Sequence, residues 1–128
     1  MQAGTGVFKC PILQQEIKWE EKDVFNPAAV VRNGAVYLFY RAEDTIGKHN
    51  GTSRIGLAIG TDGIHFNRMF APVLFPAEDF MKVYEWEGGI EDPRIVESEM
   101  GTYIMTYTAY DGKTARLCLA SSTDLLNW

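Results

Sequence analysis

An internal repeat of short apolar segments predicts an all-β fold for this chain of 128 residues. Asn26-Pro27 in the first copy corresponds to Asp92-Pro93 in the second, 66 residues later. The segments 34–40 (GAVYLFY) and 101–107 (GTYIMTY) then match at an offset of 67 residues. Two copies of a unit of four short antiparallel strands are typical of the blades of a β-propeller.

The first copy contains four predicted strands joined by polar turns. Apolar runs at 28–31 and 35–42 flank Asn33-Gly34, which is a hairpin turn signal. The second run does not alternate between apolar and polar residues, so we expect both of its faces to be covered. A third strand is predicted at 54–59, and a fourth begins within 65–68.

The second copy repeats this order, with its first strand predicted to begin at Ile95. Segments 54–62 and 116–124 match at an offset of 62 residues, so the loop before the third strand is five residues shorter in the second copy. The second copy reaches Trp128 where its fourth strand should begin. Propellers have at least four blades, so we expect the chain to be a fragment that self-associates or joins the remaining blades.

The repeat divides the chain into four segments. They are an N-terminal leader and anchor (1–24), a first blade (25–71), a long connecting loop suited to an active site (72–89), and a truncated second blade (90–128). Within the first segment, the charged stretch 18–23 is expected to be an exposed connection.

Composition limits the possible partners. The net charge of −5, without a basic patch, argues against nucleic acid and anionic membranes as partners. Cys10 and Cys118 lack metal-ligand spacing, which favours reduced structural thiols and leaves a disulfide as the alternative. The chain shows no phosphate-binding glycine loop, metal-ligand cluster, signal peptide or long apolar run, so we expect a cytoplasmic protein without a cofactor.

The stretch Gly88–Ile95 (GGIEDPRI) concentrates the groups that carry chemistry. Pro93 disfavours the helical region for Asp92, so we expect Asp92 in an extended or turn conformation with its carboxylate aimed in one direction. The alternative is a surface turn in which Asp92 caps its own loop and Arg94 pairs with Glu91.

The repeat also places Asn26 at the position of Asp92 in the preceding blade. The innermost strands of a propeller line one channel, so we expect both side chains at the channel mouth; capping of the turn before each strand is the alternative. Arg41 ends an apolar strand and should meet a carboxylate such as Glu43, Asp44 or Asp92, unless it is a plain surface charge.

Glu91 and Tyr107 are two further candidate residues of the site. Glu91 places a second carboxylate beside Asp92, and crowded carboxylates raise each other's proton affinity, although adjacent residues often face opposite ways. Tyr107 either stacks on a sugar ring or fills space between blades.

Five motifs in this order resemble glycoside hydrolase family 130. They are NPAA (26–29), YRAED (40–44), SRIGLA (53–58), GIEDPR (89–94) and YTAYD (107–111). The resemblance implies a five-bladed β-propeller, of which about two blades are present. It also implies that Asp92 is the catalytic acid and that Asn26, Arg41 and Arg94 hold the sugar. Glu91, Tyr107 and Asp111 are further candidates for substrate binding.

The resemblance further implies an inverting β-mannoside phosphorylase that acts on β-1,4-mannosyl sugars or manno-oligosaccharides. Inorganic phosphate is the co-substrate, and α-mannose 1-phosphate is the product. A single acid suits this reaction, because phosphate is already an anion, whereas an inverting hydrolase needs a second carboxylate to activate water. The family's phosphate-binding residues lie on later blades, so a β-1,2-mannosidase and a non-catalytic carbohydrate-binding propeller remain alternatives, and the fragment alone is expected to be inactive.

Overall fold

The computed structural model describes residues 2–128, and its regular secondary structure is almost entirely β-strand. The strands are β1 (Val7–Lys9), β2 (Glu16–Lys18), β3 (Asp23–Arg32), β4 (Ala35–Glu43), β5 (Ser53–Gly60), β6 (Asn67–Arg68), β7 (Gly89–Glu97), β8 (Tyr103–Tyr110) and β9 (Ala115–Ser122). One short helix, α1 (Lys82–Glu85), lies in the connection between β6 and β7, where the sequence predicts a long loop. Across the described residues, no helix has the length and apolar character needed to cross a membrane.

The predicted repeat is confirmed by the sheet topology. Strands β3, β4, β5 and β6 pair in that order as an antiparallel first blade, and β7, β8 and β9 form the corresponding three strands of the second. The blades meet through one parallel bridge, between Ser53 of β5 and Gly89 of β7.

The first strand of each blade begins earlier than the sequence predicted. Strand β3 starts at Asp23 and β7 at Gly89, before the Asn-Pro and Asp-Pro pairs. Each strand continues through its proline because a β-bulge interrupts the pairing there, between Phe25 and Ala28 in β3 and between Glu91 and Arg94 in β7. Proline has no N–H to donate, and a bulge is a position where none is required.

Strand β4 separates two hydrophobic cores, which confirms that both of its faces are covered. Phe39 packs between the blades with Ile55 and Leu57 of β5, and with Met105 of β8. Tyr40, the next residue along β4, points to the opposite face and packs against the N-terminal segment. Successive side chains of a strand alternate between faces, so an unbroken apolar run serves two cores.

The segment 18–23 is not the exposed connection that its charges indicated. Trp19 is fully buried and its indole N–H donates to the carbonyl of Phe70 at 3.0 Å. Glu20 is 3% exposed and accepts from the hydroxyl of Tyr40 at 3.0 Å and from Arg68 at 3.0 Å. The β1–β2 hairpin and these two side chains therefore cover the outer face of the first blade. Both cysteines are free, and Cys10, in the loop between β1 and β2, is buried.

We predict that Trp19→Ala lowers the free energy of unfolding by about 3–5 kcal/mol, because it leaves a cavity and frees the Phe70 carbonyl. Urea denaturation followed by circular dichroism measures the change. Met100→Ala is the control, since Met100 is 92% exposed and its truncation should change stability by less than about 0.5 kcal/mol. An unchanged midpoint for Trp19→Ala would contradict the assignment of Trp19 to the core.

Candidate active site at the inner strands

The bulges of the two inner strands bring Asn26 and Asp92 together. Both residues have left-handed backbone conformations, with φ values of 49° and 52°. Asparagine and aspartate tolerate this region better than other residues with a side chain. The amide Nδ2 of Asn26 donates to Oδ1 of Asp92 at 2.5 Å, as the repeat predicted for equivalent positions on neighbouring blades. Asp92 was expected in an extended or turn conformation. It has a left-handed conformation within strand β7.

Two glycines set the position of Asp92 relative to the first blade. Gly89 has φ +110°, and a Cβ there would lie 2.2 Å from the carbonyl oxygen of Ser53. A Cβ on Gly88 would lie 2.2 Å from the ring of Tyr110, and the Gly88 carbonyl accepts from the Ser53 N–H at 2.9 Å. Glycine at both positions lets β7 start directly beside β5, which places the following carboxylates within reach of the first blade.

Arg41 joins the blades by contacting three carboxylates. Its Nη1 donates to Oδ1 of Asp92 at 3.2 Å, and its Nη2 donates to Glu91 at 2.8 Å and to Glu43 at 2.6 Å. The expectation that Arg41 meets carboxylates is confirmed. Asp44 is not one of them, because it forms a fully buried ion pair with Arg54 at 2.6 Å.

The carboxylates of this cluster differ in burial and in proton affinity. The side chain of Asp92 is 40% exposed, whereas that of Glu91 is 17% exposed. Burial raises the pKa of Glu91; Arg41 partly offsets this effect, and Asp92 and Glu43 add to it. The pKa of Glu43 is lowered, because hydrogen bonds from Lys22 and Arg41 outweigh its burial. Asp92 is therefore the carboxylate open to a ligand. Glu91 and Asp92 both contact the guanidinium of Arg41.

Arg94 and Asp111 lie outside the cluster. Arg94 is exposed and donates to the carbonyl of Pro93 at 2.7 Å. Asp111 closes the β8–β9 turn, where it accepts from the Thr114 N–H at 2.8 Å and pairs with Arg116 at 2.7 Å. The backbone N–H of Thr114 and the Arg116 side chain lower the pKa of Asp111 to about 2. The structure thus gives Asp111 a turn-forming role and leaves Arg94 free to face a ligand.

Tyr107 is buried rather than presented to a ligand. It is 4% exposed, and its hydroxyl donates to Oε1 of Glu85 in helix α1 at 2.8 Å. Glu85 is itself 3% exposed, and burial raises its pKa to about 7, with Asp79 adding to the effect and Tyr107 opposing it. Sequence reasoning missed this pair; the available signal was a glutamate between the aromatic residues Tyr84 and Trp86.

In the part of the chain that the structure describes, no three His, Cys, Asp or Glu side chains are arranged so that they could hold a metal ion.

Comparison with known proteins places these features in one family. The family model described as beta-1,4-mannooligosaccharide phosphorylase matches residues 10–128. The chain is 40% identical to 1,2-beta-oligomannan phosphorylase and 36% identical to beta-1,2-mannobiose phosphorylase, both of Thermoanaerobacter sp. (strain X514), over 92% of its length. It spans only 40% and 42% of these two relatives.

Solved structures agree with this result. A glycosyl hydrolase from Bacteroides ovatus is 43% identical and superposes on the whole chain with a TM-score of 0.95, over 36% of its own length. A second structure has the same identity, coverage and TM-score, and is described with family 130 glycoside hydrolases that target beta-1,2 mannosidic linkages in Candida mannan. The two blades define a part of a β-propeller. The chain belongs to glycoside hydrolase family 130 and contributes about two blades of its five-bladed propeller.

We predict that Glu85→Gln raises the free energy of unfolding above that of the wild type, and that it does so more at pH 8 than at pH 4. In the wild type, the folded state binds the Glu85 proton more tightly than the unfolded state does. The contribution of Glu85 to the free energy of unfolding therefore falls as pH rises from about 4.5 to about 7 and is then constant. Glutamine still accepts from Tyr107 but has no charge to bury. The gain over wild type at pH 8 should be about 1–3 kcal/mol.

Urea denaturation at both pH values measures this difference. Glu78→Gln is the control, because Glu78 lies on the same connection but is 54% exposed and pairs only with Lys82. A pH dependence that is unchanged in Glu85→Gln would show that Glu85 titrates normally.

Proposed function

We propose that the intact protein is an inverting β-mannoside phosphorylase in which Asp92 is the catalytic acid. The observation that carries this proposal is the position of the Asp92 carboxylate, which is held by Asn26 and Arg41 at the bulges of two inner strands and is still 40% exposed. Membership of family 130 supports the substrate class.

The geometry suits proton donation to a bound sugar. The hydrogen bonds from Asn26 and Arg41 both reach Oδ1 of Asp92. Oδ2 is the oxygen on which a proton can be carried toward the ligand. In the proposed reaction this proton passes through a mannose hydroxyl to the glycosidic oxygen. Phosphate attacks the anomeric carbon from the opposite face, the glycosidic C–O bond breaks, and the products are α-mannose 1-phosphate and the shortened sugar.

Two features of the proposed reaction are the mannosidic linkage that is cleaved and the group, phosphate or water, that accepts the mannosyl unit. The matching family model is described by β-1,4-linked substrates, whereas both phosphorylase relatives are named for β-1,2-linked ones. We propose a β-mannoside of one of these two linkages. Hydrolysis is the second candidate reaction, because the structure described with family 130 hydrolases is 43% identical to this chain.

Activity is proposed to require the whole propeller. The chain spans about two fifths of its phosphorylase relatives. The face of β9 that points away from the first blade exposes Leu117 and Leu119, with 80% and 69% of their surfaces accessible. Apolar side chains on a blade face are suited to packing against a further blade.

We predict that the intact protein releases mannose 1-phosphate from β-1,2- or β-1,4-mannobiose only when phosphate is present. Chromatographic detection of mannose 1-phosphate and free mannose, with and without phosphate, measures both reactions. Free mannose formed at equal rates with and without phosphate would show that the reaction is hydrolysis and not phosphorolysis. Residues 1–128 alone serve as the control and should be inactive.

We predict that Asp92→Asn lowers kcat by about 10²- to 10⁴-fold, which is the usual contribution of a positioned general acid. Sugar affinity should be nearly unchanged, because asparagine keeps the shape of the side chain. Asp62→Asn is a matched control, since Asp62 lies in the exposed β5–β6 turn and contacts His65. Turnover that survives in Asp92→Asn would remove Asp92 from the mechanism, and absence of turnover in the wild type would favour a carbohydrate-binding propeller.

A further inference from the structure

Most of the hydrogen-bond donors of Arg41 are engaged by protein groups. A guanidinium has five N–H donors. In Arg41, Nε donates to Oγ of Ser53 at 2.9 Å, Nη2 donates to Glu43 and Glu91, and Nη1 donates to Asp92. One N–H on Nη1 is left for a ligand. The orientation of the whole group is thus decided by competing acceptors on two blades.

Glu43 is the acceptor that is itself most firmly anchored. Its Oε1 accepts from Arg41 at 2.6 Å and from the hydroxyl of Ser53 at 3.2 Å, and its Oε2 accepts from Lys22 at 2.9 Å. These contacts come from β4, from β5 and from the turn between β2 and β3. The guanidinium carbon of Arg41 also lies 4.7 Å from the centre of the Phe25 ring, which adds a cation–π contact on one face.

The lengths of the Arg41 contacts show which partner it favours. Its distance to Glu43 is 2.6 Å, whereas its distance to Asp92 is 3.2 Å. Ion pairs with direct hydrogen bonds are usually about 2.7–2.9 Å long, so the contact with Asp92 is loose. Tight pairing to a guanidinium favours the charged form of a carboxyl group, whereas an acid catalyst has to carry a proton.

We propose that Glu43 is a positioning residue that, together with Ser53, holds Arg41 back from Asp92, so that Arg41 binds substrate without pairing tightly with the acid. The kinetic part of this proposal rests on the proposed function, in which Asp92 donates a proton. The direction of the two pKa shifts is consistent with it: hydrogen bonds from Lys22 and Arg41 lower the pKa of Glu43, whereas burial raises the pKa of Glu91 and weakens it as a competitor for Arg41.

Removal of the Glu43 charge should move Arg41 toward the second blade. The groups that face Arg41 after Glu43→Gln are Ser53, Glu91 and Asp92, and Lys22 is left without its carboxylate partner. The guanidinium should then approach Asp92 more closely and lose its contact with Ser53. Asp92 would give up its proton more readily, so activity should be lost at a lower pH than in the wild type.

The first test is a pH–rate profile of the intact protein with a β-mannobiose, with and without phosphate, in wild type and Glu43→Gln. The alkaline limb should shift by about one pH unit to lower pH, while the rate on the acidic side stays within about threefold. Glu16→Gln is the matched control on an exposed position of β2 and should show no shift. A fall in rate that is equal at every pH would overturn the proposal in favour of a merely structural role.

Ser53→Ala is a second variant that keeps the test decisive where Glu43→Gln does not fold. It removes the Nε anchor of Arg41 without changing a charge, so it should shift the alkaline limb in the same direction by a smaller amount. A profile identical to that of the wild type would contradict the proposal.

A crystal structure of Glu43→Gln provides a readout that does not need activity. The distance from Nη1 of Arg41 to Oδ1 of Asp92 should fall below 3.0 Å, and the contact from Nε to Ser53 should open. An unmoved Arg41 overturns the proposal. Absence of mannoside turnover in the wild type would overturn the proposed function alone, because the crystal structure of Glu43→Gln still shows whether Arg41 has moved.

Discussion

The site depends on two β-bulges that occur at the same position of successive blades. In each bulge one residue takes a left-handed conformation, and its side chain leaves the regular alternation of the strand. Since the blades pack side by side, the two displaced side chains, Asn26 and Asp92, meet at 2.5 Å. A duplicated backbone feature therefore produces a pair of unlike groups, one amide and one acid, without any element outside the repeat.

The apolar contact between the blades fixes the distance across which these groups act. Phe39, Ile55 and Leu57 of the first blade are buried against Ile90 and Met105 of the second. The glycines before Ile90 allow the closest backbone approach at the same end of the sheet, where Gly89 lies against Ser53. Packing density and backbone approach together bring the carboxylates of β7 within hydrogen-bonding distance of a guanidinium on β4.

The sequence was sufficient for the repeat, the strand order and the pairing of Arg41 with carboxylates, because these follow from spacing and from the cost of leaving a charge unpaired. It did not decide which carboxylates, since Asp44 pairs elsewhere and Glu91 takes part. It was insufficient where tertiary packing overrides local character. Trp19 lies among charged residues but is buried by a hairpin whose position cannot be inferred from local sequence. Tyr107 was ambiguous between stacking and packing, and its burial depends on Glu85, a residue 22 positions away in a helix that showed no periodicity.

The charges of the cluster indicate which part of the proposed reaction these two blades can supply. Three carboxylates, Glu43, Glu91 and Asp92, face two cations, Lys22 and Arg41. With every group ionised, this arrangement carries an excess negative charge, which repels an anion such as phosphate and favours retention of a proton. Burial raises the pKa of Glu91, in agreement with that balance. In the proposed phosphorolysis, this cluster therefore acts on the sugar and its leaving group, and phosphate is bound by cations outside the cluster.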